Sequence, residues 1–298
     1  MIRNDILWKG ILENLFGYFL RFFYAEHLPL FDFKKGFEFL DKELEQLFPV
    51  ESMECPKYVD KLVKVFTTGG TEEWILIHIE VQGYKDKDFA RRMFTYFYRI
   101  LDRYGKKVAA IAIFSDADGR YKPSFFEYNF LGTKNVFEFR TYKILEQEEK
   151  LLLKDPNPFA VVILTVLLAL KNKEVADEKL IALKVQLIRN LLQRKIPTTT
   201  IRALFNFINQ YVVFASKENS AKFEKVIESL TGKQTTMGIE ELILKLERDK
   251  GKKEGLEMKD RIFVTNLLTN TDFSVNKVAT LADVTRGFVL KIKAELSK

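Results

Sequence analysis

Asp60, Glu80 and Gln82 are the residues whose types and spacing come closest to a hydrolytic metal site. Asp60 lies in one run of β-branched and aromatic residues, Glu80 and Gln82 lie in a second run, and the turn-forming sequence TTGGTEE separates the two. The sequence therefore predicts a β-hairpin. If the hairpin is centred on the Gly-Gly pair, residues whose numbers add up to about 140 face each other, and Asp60 lies opposite Glu80.

Two carboxylates held across a strand pair, with Cβ atoms about 5 Å apart, repel each other unless a cation neutralises them. Mg²⁺ or Mn²⁺ would do so while keeping several waters, one of which can be deprotonated to attack a phosphodiester. Gln82 lies one pleat beyond Glu80, where its amide could orient that water or a phosphate oxygen. Because the chain has two histidines and one cysteine, a metal would be held mainly by oxygen. The alternative is a solvated strand face that carries two unrelated acids.

A row of arginines follows the predicted hairpin, in segment 88–104, which has helical spacing. Arg92, Arg99 and Arg103 would share one stripe of this helix with Tyr96. The residues expected to face inward are apolar: Phe89, Met93, Phe97, Ile100 and Leu101. Beside an acidic metal site, the arginines would hold the phosphates of DNA without reading its sequence. A solvated helix face is the alternative.

Segment 275–292, near the end of the chain, resembles a helix-turn-helix unit. Asp283 would occupy the left-handed turn, where glycine is commoner but aspartate is tolerated, and Val284 and Val289 would pack inward. Arg286 and Lys291 would then face outward on a recognition helix and contact nucleic acid. A helical pair that docks on a partner or forms a homodimer fits the same pattern.

The remaining elements are predicted from hydrophobic periodicity and from Gly and Pro positions. The expected helices lie at 4–24, 37–47, 88–104, 157–172, 175–194, 198–215, 219–230 and 238–248, and the expected strands at 58–66, 74–82, 108–114, 125–130 and 136–142. This order predicts an α/β domain at 1–145 and a helical domain at 146–250. A charged, glycine-containing linker at 249–255 would precede a small helical unit at 256–298.

The net charge of +7 and the isoelectric point of about 9.1 favour a polyanion such as DNA as partner. One cysteine excludes an internal disulfide. The first residues lack the basic start and long apolar run of a secretory signal. The apolar run 159–170 is too short to cross a bilayer. We therefore expect a cytoplasmic protein that does not engage a membrane.

Several stretches resemble the recombination-promoting nuclease (Rpn, YhgA-like) family of transposase-related proteins: YVDKLVKV, IHIEVQG, FARRMF and YRI, with the opening DILWK. The resemblance covers roughly residues 4–145. It implies a PD-(D/E)XK restriction-endonuclease-like core in which Asp60 and Glu80 ligate Mg²⁺ or Mn²⁺ and take part in catalysis. Gln82 stands where the superfamily motif usually has lysine, and it offers a dipole instead of a charge. Glu13 on the first helix is a candidate third acidic ligand.

The leading hypothesis is thus a metal-dependent DNA endonuclease linked to recombination or mobile elements. Two other classes remain open at this point. One is a nucleic-acid-binding protein that cleaves slowly or not at all, and the other is a protein-interaction scaffold built on the helical half.

Overall fold

The computed structural model describes residues 2–46, 59–69, 74–172, 177–214, 216–231, 255 and 258–296. The predicted helix 238–248 and nearly all of the predicted linker 249–255 lie outside these residues. The described contacts divide the chain into two compact units, Met1–Ile227 and Glu228–Lys298.

The first unit is a mixed α/β structure around a five-stranded sheet with the strand order β1-β2-β3-β4-β7. The elements are α1 (Ile2–Phe23), β1 (Phe37–Phe39), α2 (Asp41–Gln46), β2 (Val59–Phe66), β3 (Trp74–Gln82), α3 (Phe89–Tyr104), β4 (Val108–Phe114), β5 (Phe125–Phe130), β6 (Thr133–Glu138) and β7 (Arg140–Lys143). Strands β1, β2 and β3 form an antiparallel meander, whereas β4 and β7 continue the sheet in parallel with β3. The predicted α/β class is confirmed.

Helices cover both faces of the sheet, which is why the central strands are apolar on both sides. On one face, Leu62 of β2 packs with Tyr96 and Ile100 of α3. On the other, the aromatic stripe of α1 reaches β1, where the Phe16 and Phe37 ring centroids are 4.7 Å apart. The last four residues of β4 are fully buried between these layers, as its continuous apolar run predicts.

Two predicted elements differ from the observed ones. Segment 37–47 was expected to be one helix, but its first part is the edge strand β1 and only Asp41–Gln46 is helical. Gly36, with φ +73°, turns the chain into β1, whose backbone then pairs with β2. The predicted strand 136–142 is split into β6 and β7 at Phe139, whose backbone N–H donates to the Ser124 carbonyl. Tertiary pairing overrides local periodicity at both places.

All regular elements described from residue 149 onwards are helices: α4 (Glu149–Lys154), α5 (Phe159–Lys171), α6 (Asp177–Leu192), α7 (Thr198–Tyr211), α8 (Lys217–Thr231), α9 (258–270), α10 (Val275–Ala282) and α11 (Arg286–Leu296). Helix α1 also packs on α5 and α7 through aromatic edges. The ring centroids of Phe19 and Phe159 are 5.4 Å apart, and those of Trp8 and Phe207 are 5.9 Å apart. The sheet and α4–α7 therefore share α1 as a common layer, and the predicted boundary at residue 145 lies inside the first unit.

None of the helices that the structure describes combines the length and apolarity needed to cross a membrane. The most apolar of them, α5, has 13 residues, and its side chains from Phe159 to Leu168 are buried in the first unit. The apolar run of α5 is thus used as protein core.

Lys184 of α6 is a buried cation, with 4 % of its surface exposed. Its Nζ donates to the carbonyls of Asn209 (3.3 Å) and Val212 (3.1 Å) at the end of α7, and it lies 4.8 Å and 4.5 Å from the ring centroids of Phe214 and Phe223. Burial lowers the pKa of Lys184 from 10.5 to about 8. The ammonium therefore ties α6 to the end of α7 at an energetic cost from desolvation.

This cost predicts a pH dependence of stability. Between pH 8 and 10.5 the unfolded chain holds a proton on residue 184 that the folded chain has lost, so the free energy of unfolding rises with pH. From pH 8 to 9.5 the rise should be about 2 kcal/mol at most. Urea denaturation at several pH values measures it, and Lys184→Met should remove it.

Lys179→Met, at an exposed position of the same helix, is the matched control and should keep the wild-type slope. Measurements stop at pH 9.5 because burial raises the pKa values of Tyr24, Tyr121 and Tyr211 to about 12, which lowers stability above pH 10. Equal slopes for Lys184→Met and the wild type would contradict the buried-cation explanation.

Candidate active site at the carboxyl edge of the sheet

The pairing of β2 with β3 is the one that the sequence predicts. All eight residue pairs of the hairpin have numbers that sum to 140, and Asp60 pairs with Glu80. In the same rung, Glu80 pairs with Ala112 of β4, and Ala112 pairs with Thr141 of β7. The predicted register is confirmed. The side chains of Asp60 and Glu80 lie outside the described part, so their role as metal ligands stays a prediction.

Gln82 ends β3 and is completely buried. Its Nε2 donates to the Tyr84 carbonyl (2.6 Å), and its Oε1 accepts a hydrogen bond from Nη2 of Arg92 (3.2 Å). Both ends of the amide are therefore engaged inside the protein, which fixes its orientation. The observed contacts place this amide between β3 and α3. Its predicted role in orienting a water or a phosphate oxygen stays a prediction.

Arg92 connects Gln82 to the residues at the start of α3. Its guanidinium contacts the Asp86 carboxylate as well as Gln82 and lies over the Phe89 ring, 5.2 Å from the centroid. The carboxylate of Asp86 also accepts from the Asp88 backbone N–H (2.9 Å), which lies at the start of α3. The side chain of Arg92 is only 13 % exposed, so Arg92 joins the first turn of α3 to the end of β3.

The rest of the predicted basic stripe is placed differently from Arg92. Tyr96, predicted to share the outer stripe, is buried against Leu62, and Leu101, predicted to face inward, is 41 % exposed. The helix buries positions that are four, three and four residues apart, namely Phe89, Met93, Tyr96 and Ile100. Arg99 is half-buried and Arg103 is exposed, so the structure does not present the three arginines as one solvated row.

A second buried network lies beside the first and was missed in the sequence. Lys143, the last residue of β7, is fully buried, and its Nζ lies 2.7 Å from Oδ2 of Asp116, which is 4 % exposed. The same Nζ donates to the Tyr121 carbonyl (3.3 Å), and the Tyr121 hydroxyl donates to the Asp86 carbonyl (2.8 Å). The two networks therefore form one chain of contacts along the carboxyl edge of β3, β4 and β7.

The sequence held one clue to this second network. Asp116 comes two residues after the buried strand β4, and polar residues just beyond the carboxyl ends of parallel strands often form sites. Lys143 carried no comparable clue, because lysine side chains are usually exposed. Burial raises the pKa of Tyr121 to about 12, so its hydroxyl stays protonated as a donor at neutral pH.

Glu13, the candidate third metal ligand, lies against Lys61 of β2. Lys61 is 1 % exposed and contacts the carboxylate of Asp41 as well. Lys61 reaches α1, whereas the next residue, Leu62, packs on α3, so these two side chains point to opposite faces of the sheet. The structure therefore does not bring Glu13 together with Gln82 and Arg92, which lie on the α3 face.

Arg286 and Lys291, the other candidate nucleic-acid contacts, are exposed on α11 in the second unit. Among the residues with described side chains, no group of three or more His, Cys, Asp or Glu could hold a metal ion. Asp60 and Glu80 are not part of that set.

Comparison with family models, with curated proteins and with solved structures gives no match to this chain.

The network around Arg92 predicts a contrast between two arginines of α3. Arg92→Leu removes the cation beside the Asp86 carboxylate and the donor to the Gln82 Oε1 in a poorly solvated place, so the free energy of unfolding should fall by about 2 kcal/mol. Arg103→Leu changes an exposed position and should stay within about 0.5 kcal/mol of wild type. Equal effects in urea denaturation would mean that Arg92 is no more structural than a surface arginine.

Proposed function

We propose that the chain is a metal-dependent DNA endonuclease of the PD-(D/E)XK type, with Asp60 and Glu80 as the metal ligands. The observation that carries the proposal is the register that sets Asp60 opposite Glu80, two residues before the end of β3. The order of elements supports it: α1, the antiparallel meander β1–β3, α3 and the parallel strand β4 follow one another along the chain. The net charge of +7 suits a DNA substrate, and the link with recombination rests on the family resemblance.

Magnesium or manganese fits this pair of residues. Two carboxylates at directly paired strand positions supply hard oxygen donors about 5 Å apart at Cβ, and they repel each other when no cation is bound. When bound, the ion lowers the pKa of a coordinated water and neutralises charge on the phosphodiester. Asp60 and Glu80 would hold it, and their conversion to amides removes the charge that attracts a cation.

The other residues of this edge position the pair. Gln82 accepts a hydrogen bond from Arg92, so the end of β3 cannot shift relative to α3 without breaking that bond. Lys143 and Asp116 fasten the ends of β7 and β4 in the same way. These contacts favour a rigid edge, and rigid placement of charged groups is what catalysis by electrostatics requires.

One observation favours a second candidate function, a DNA-binding protein that cleaves slowly or not at all. Gln82 stands where a lysine would supply a positive charge, and the buried cations nearby each contact a carboxylate: Arg92 contacts Asp86, and Lys143 contacts Asp116. A charge that is already paired does less to stabilise a leaving group. A cleavage assay separates the two candidates.

We expect Asp60→Asn and Glu80→Gln each to abolish nicking of supercoiled plasmid in Mg²⁺ or Mn²⁺. Each variant should keep the wild-type melting temperature without metal, or exceed it slightly, because one charge of a repelling pair is removed. Agarose gels measure nicking, and calorimetry measures melting. Glu138→Gln, an exposed acid on β6, is the control and should cleave normally.

Full cleavage by either site variant would refute the metal-ligand assignment. DNA binding without cleavage by the wild type, over a range of Mg²⁺ and Mn²⁺ concentrations, would favour the second candidate.

A further inference from the structure

The part of the second unit that the structure describes contains three helices around a small apolar core. Four residues of α9, α10 and α11 are buried at its centre: Val264, Val278, Val289 and Ile292. Val284, in the turn between α10 and α11, packs against them. The inward placement predicted for Val284 and Val289 is confirmed, and α11 is held with one defined face outward.

The turn between α10 and α11 has the geometry predicted from its sequence. Asp283 adopts the left-handed conformation (φ 53°, ψ 42°), and its N–H donates to the carbonyls of Ala279 and Thr280. The Thr285 hydroxyl then accepts from the Phe288 N–H (3.3 Å) and caps α11. The chain thus ends one helix and starts the next within three residues, as in helix-turn-helix units.

The outward face of α11 has an uncharged centre with a basic residue on each side. At 100° per residue, the direction opposite Val289 and Ile292 is occupied by Gly287 and Ala294, both exposed. Leu290 and then Arg286 lie on one side of this centre, and Lys291 lies on the other side; all three are exposed.

Gly287 is not required by the fold. Its φ is not in the left-handed region, and a Cβ added to it would meet nothing within 4 Å. Glycine is also a poor helix former. Because Gly287 has no side chain, a flat or grooved partner surface can approach the helix backbone at this point.

The charges on residues 258–296 favour a polyanion as partner. Residues 258–296 contain six Lys and Arg against four Asp and Glu, and the one acid of α11, Glu295, contacts Arg261 of α9. The basic residues on both sides of the outward face match the two phosphate backbones that border a groove of duplex DNA.

We infer that α11 enters the major groove of duplex DNA, with Arg286 and Lys291 on opposite backbones and with Leu290 and Ala294 against base edges. The centre of the face carries no hydrogen-bonding side chain, so it can read only apolar features. In the major groove that feature is the thymine methyl group. The unit therefore binds A·T-containing duplex in preference to duplex without the methyl, and this binding does not depend on the proposed nuclease.

Fluorescence anisotropy of the full chain, in EDTA so that no metal-dependent cleavage occurs, tests the inference. The probes are labelled alternating duplexes of dA and dT, dA and dU, and dG and dC. Removing each contacted methyl should weaken binding about fourfold, so the duplex with dU should bind more weakly than the duplex with dT. Arg286→Gln and Lys291→Gln should each flatten the slope of log affinity against log salt concentration by about one unit.

Gly287→Glu is the decisive variant. The glutamate side chain would protrude from the centre of the outward face and add a negative charge there, so the affinity for DNA should fall at least tenfold. Its fold should be intact, because glutamate is a better helix former than glycine and is favourable in a first helical turn. Asn266→Glu, at an exposed position of α9, adds the same charge elsewhere and should retain most of the affinity.

Wild-type affinity in Gly287→Glu with an unchanged melting temperature would overturn the inference. Equal affinity for the dT and dU duplexes would contradict the proposed contact with thymine methyl groups. If light scattering shows that Gly287→Glu converts a dimer to a monomer while DNA binding is unchanged, the face joins two copies of the chain and the inference is wrong. A cleavage-deficient wild type that still shows these preferences would refute only the nuclease proposal.

Discussion

The register between β2 and β3 is the constraint on which the candidate site depends. Along these strands, Val63, Val65, Ile77 and Ile79 are fully buried toward one face of the sheet. Because successive side chains alternate, a slip of one residue would turn these apolar groups to the opposite face and expel them from their layer. Burial of several large side chains at about 1.5–3 kcal/mol each makes such a slip unfavourable. The pairing of Asp60 with Glu80 is thus enforced by apolar residues that take no part in chemistry.

Charged groups at the carboxyl edge have a different effect from the apolar core. Lys61, Lys143 and Arg92 are each largely removed from water, and each contacts a carboxylate. Such pairs are seldom net contributors to stability, since desolvation offsets most of their attraction, but the loss of one partner is costly. Alternative placements of the strand ends would separate these pairs. The Lys143 and Arg92 pairs therefore restrict where β4, β7 and the start of α3 can lie, and the Lys61 pairs join β2 to α1 and α2 on the opposite face.

The two proposals place cleavage in the first unit and DNA recognition in the second. In the first unit, Arg92 and Lys143 at the carboxyl edge of the sheet are each paired with a carboxylate inside the protein. The second unit presents Arg286 and Lys291 openly on a helix whose inward face is fixed by Val289 and Ile292. An enzyme that acts on DNA requires both a placed metal site and an affinity for phosphates. If both proposals hold, these tasks belong to separate parts of the chain.

Local sequence determined the elements whose periodicity and turn residues agree with their surroundings. It determined the β2–β3 hairpin and its register, the buried strand β4, the end of α3 at Gly105, and the left-handed turn at Asp283, because each follows from side-chain alternation, continuous apolarity or a short-range backbone preference. Only the tertiary structure decided that Phe37–Phe39 is a strand, since its partner β2 is distant in sequence. It also decided that Arg92 and Lys143 are internal while Arg103 is exposed. A charged side chain can be buried where a carboxylate from another element contacts it, as Asp86 and Asp116 do here. A local sequence pattern does not predict such a contact between distant residues.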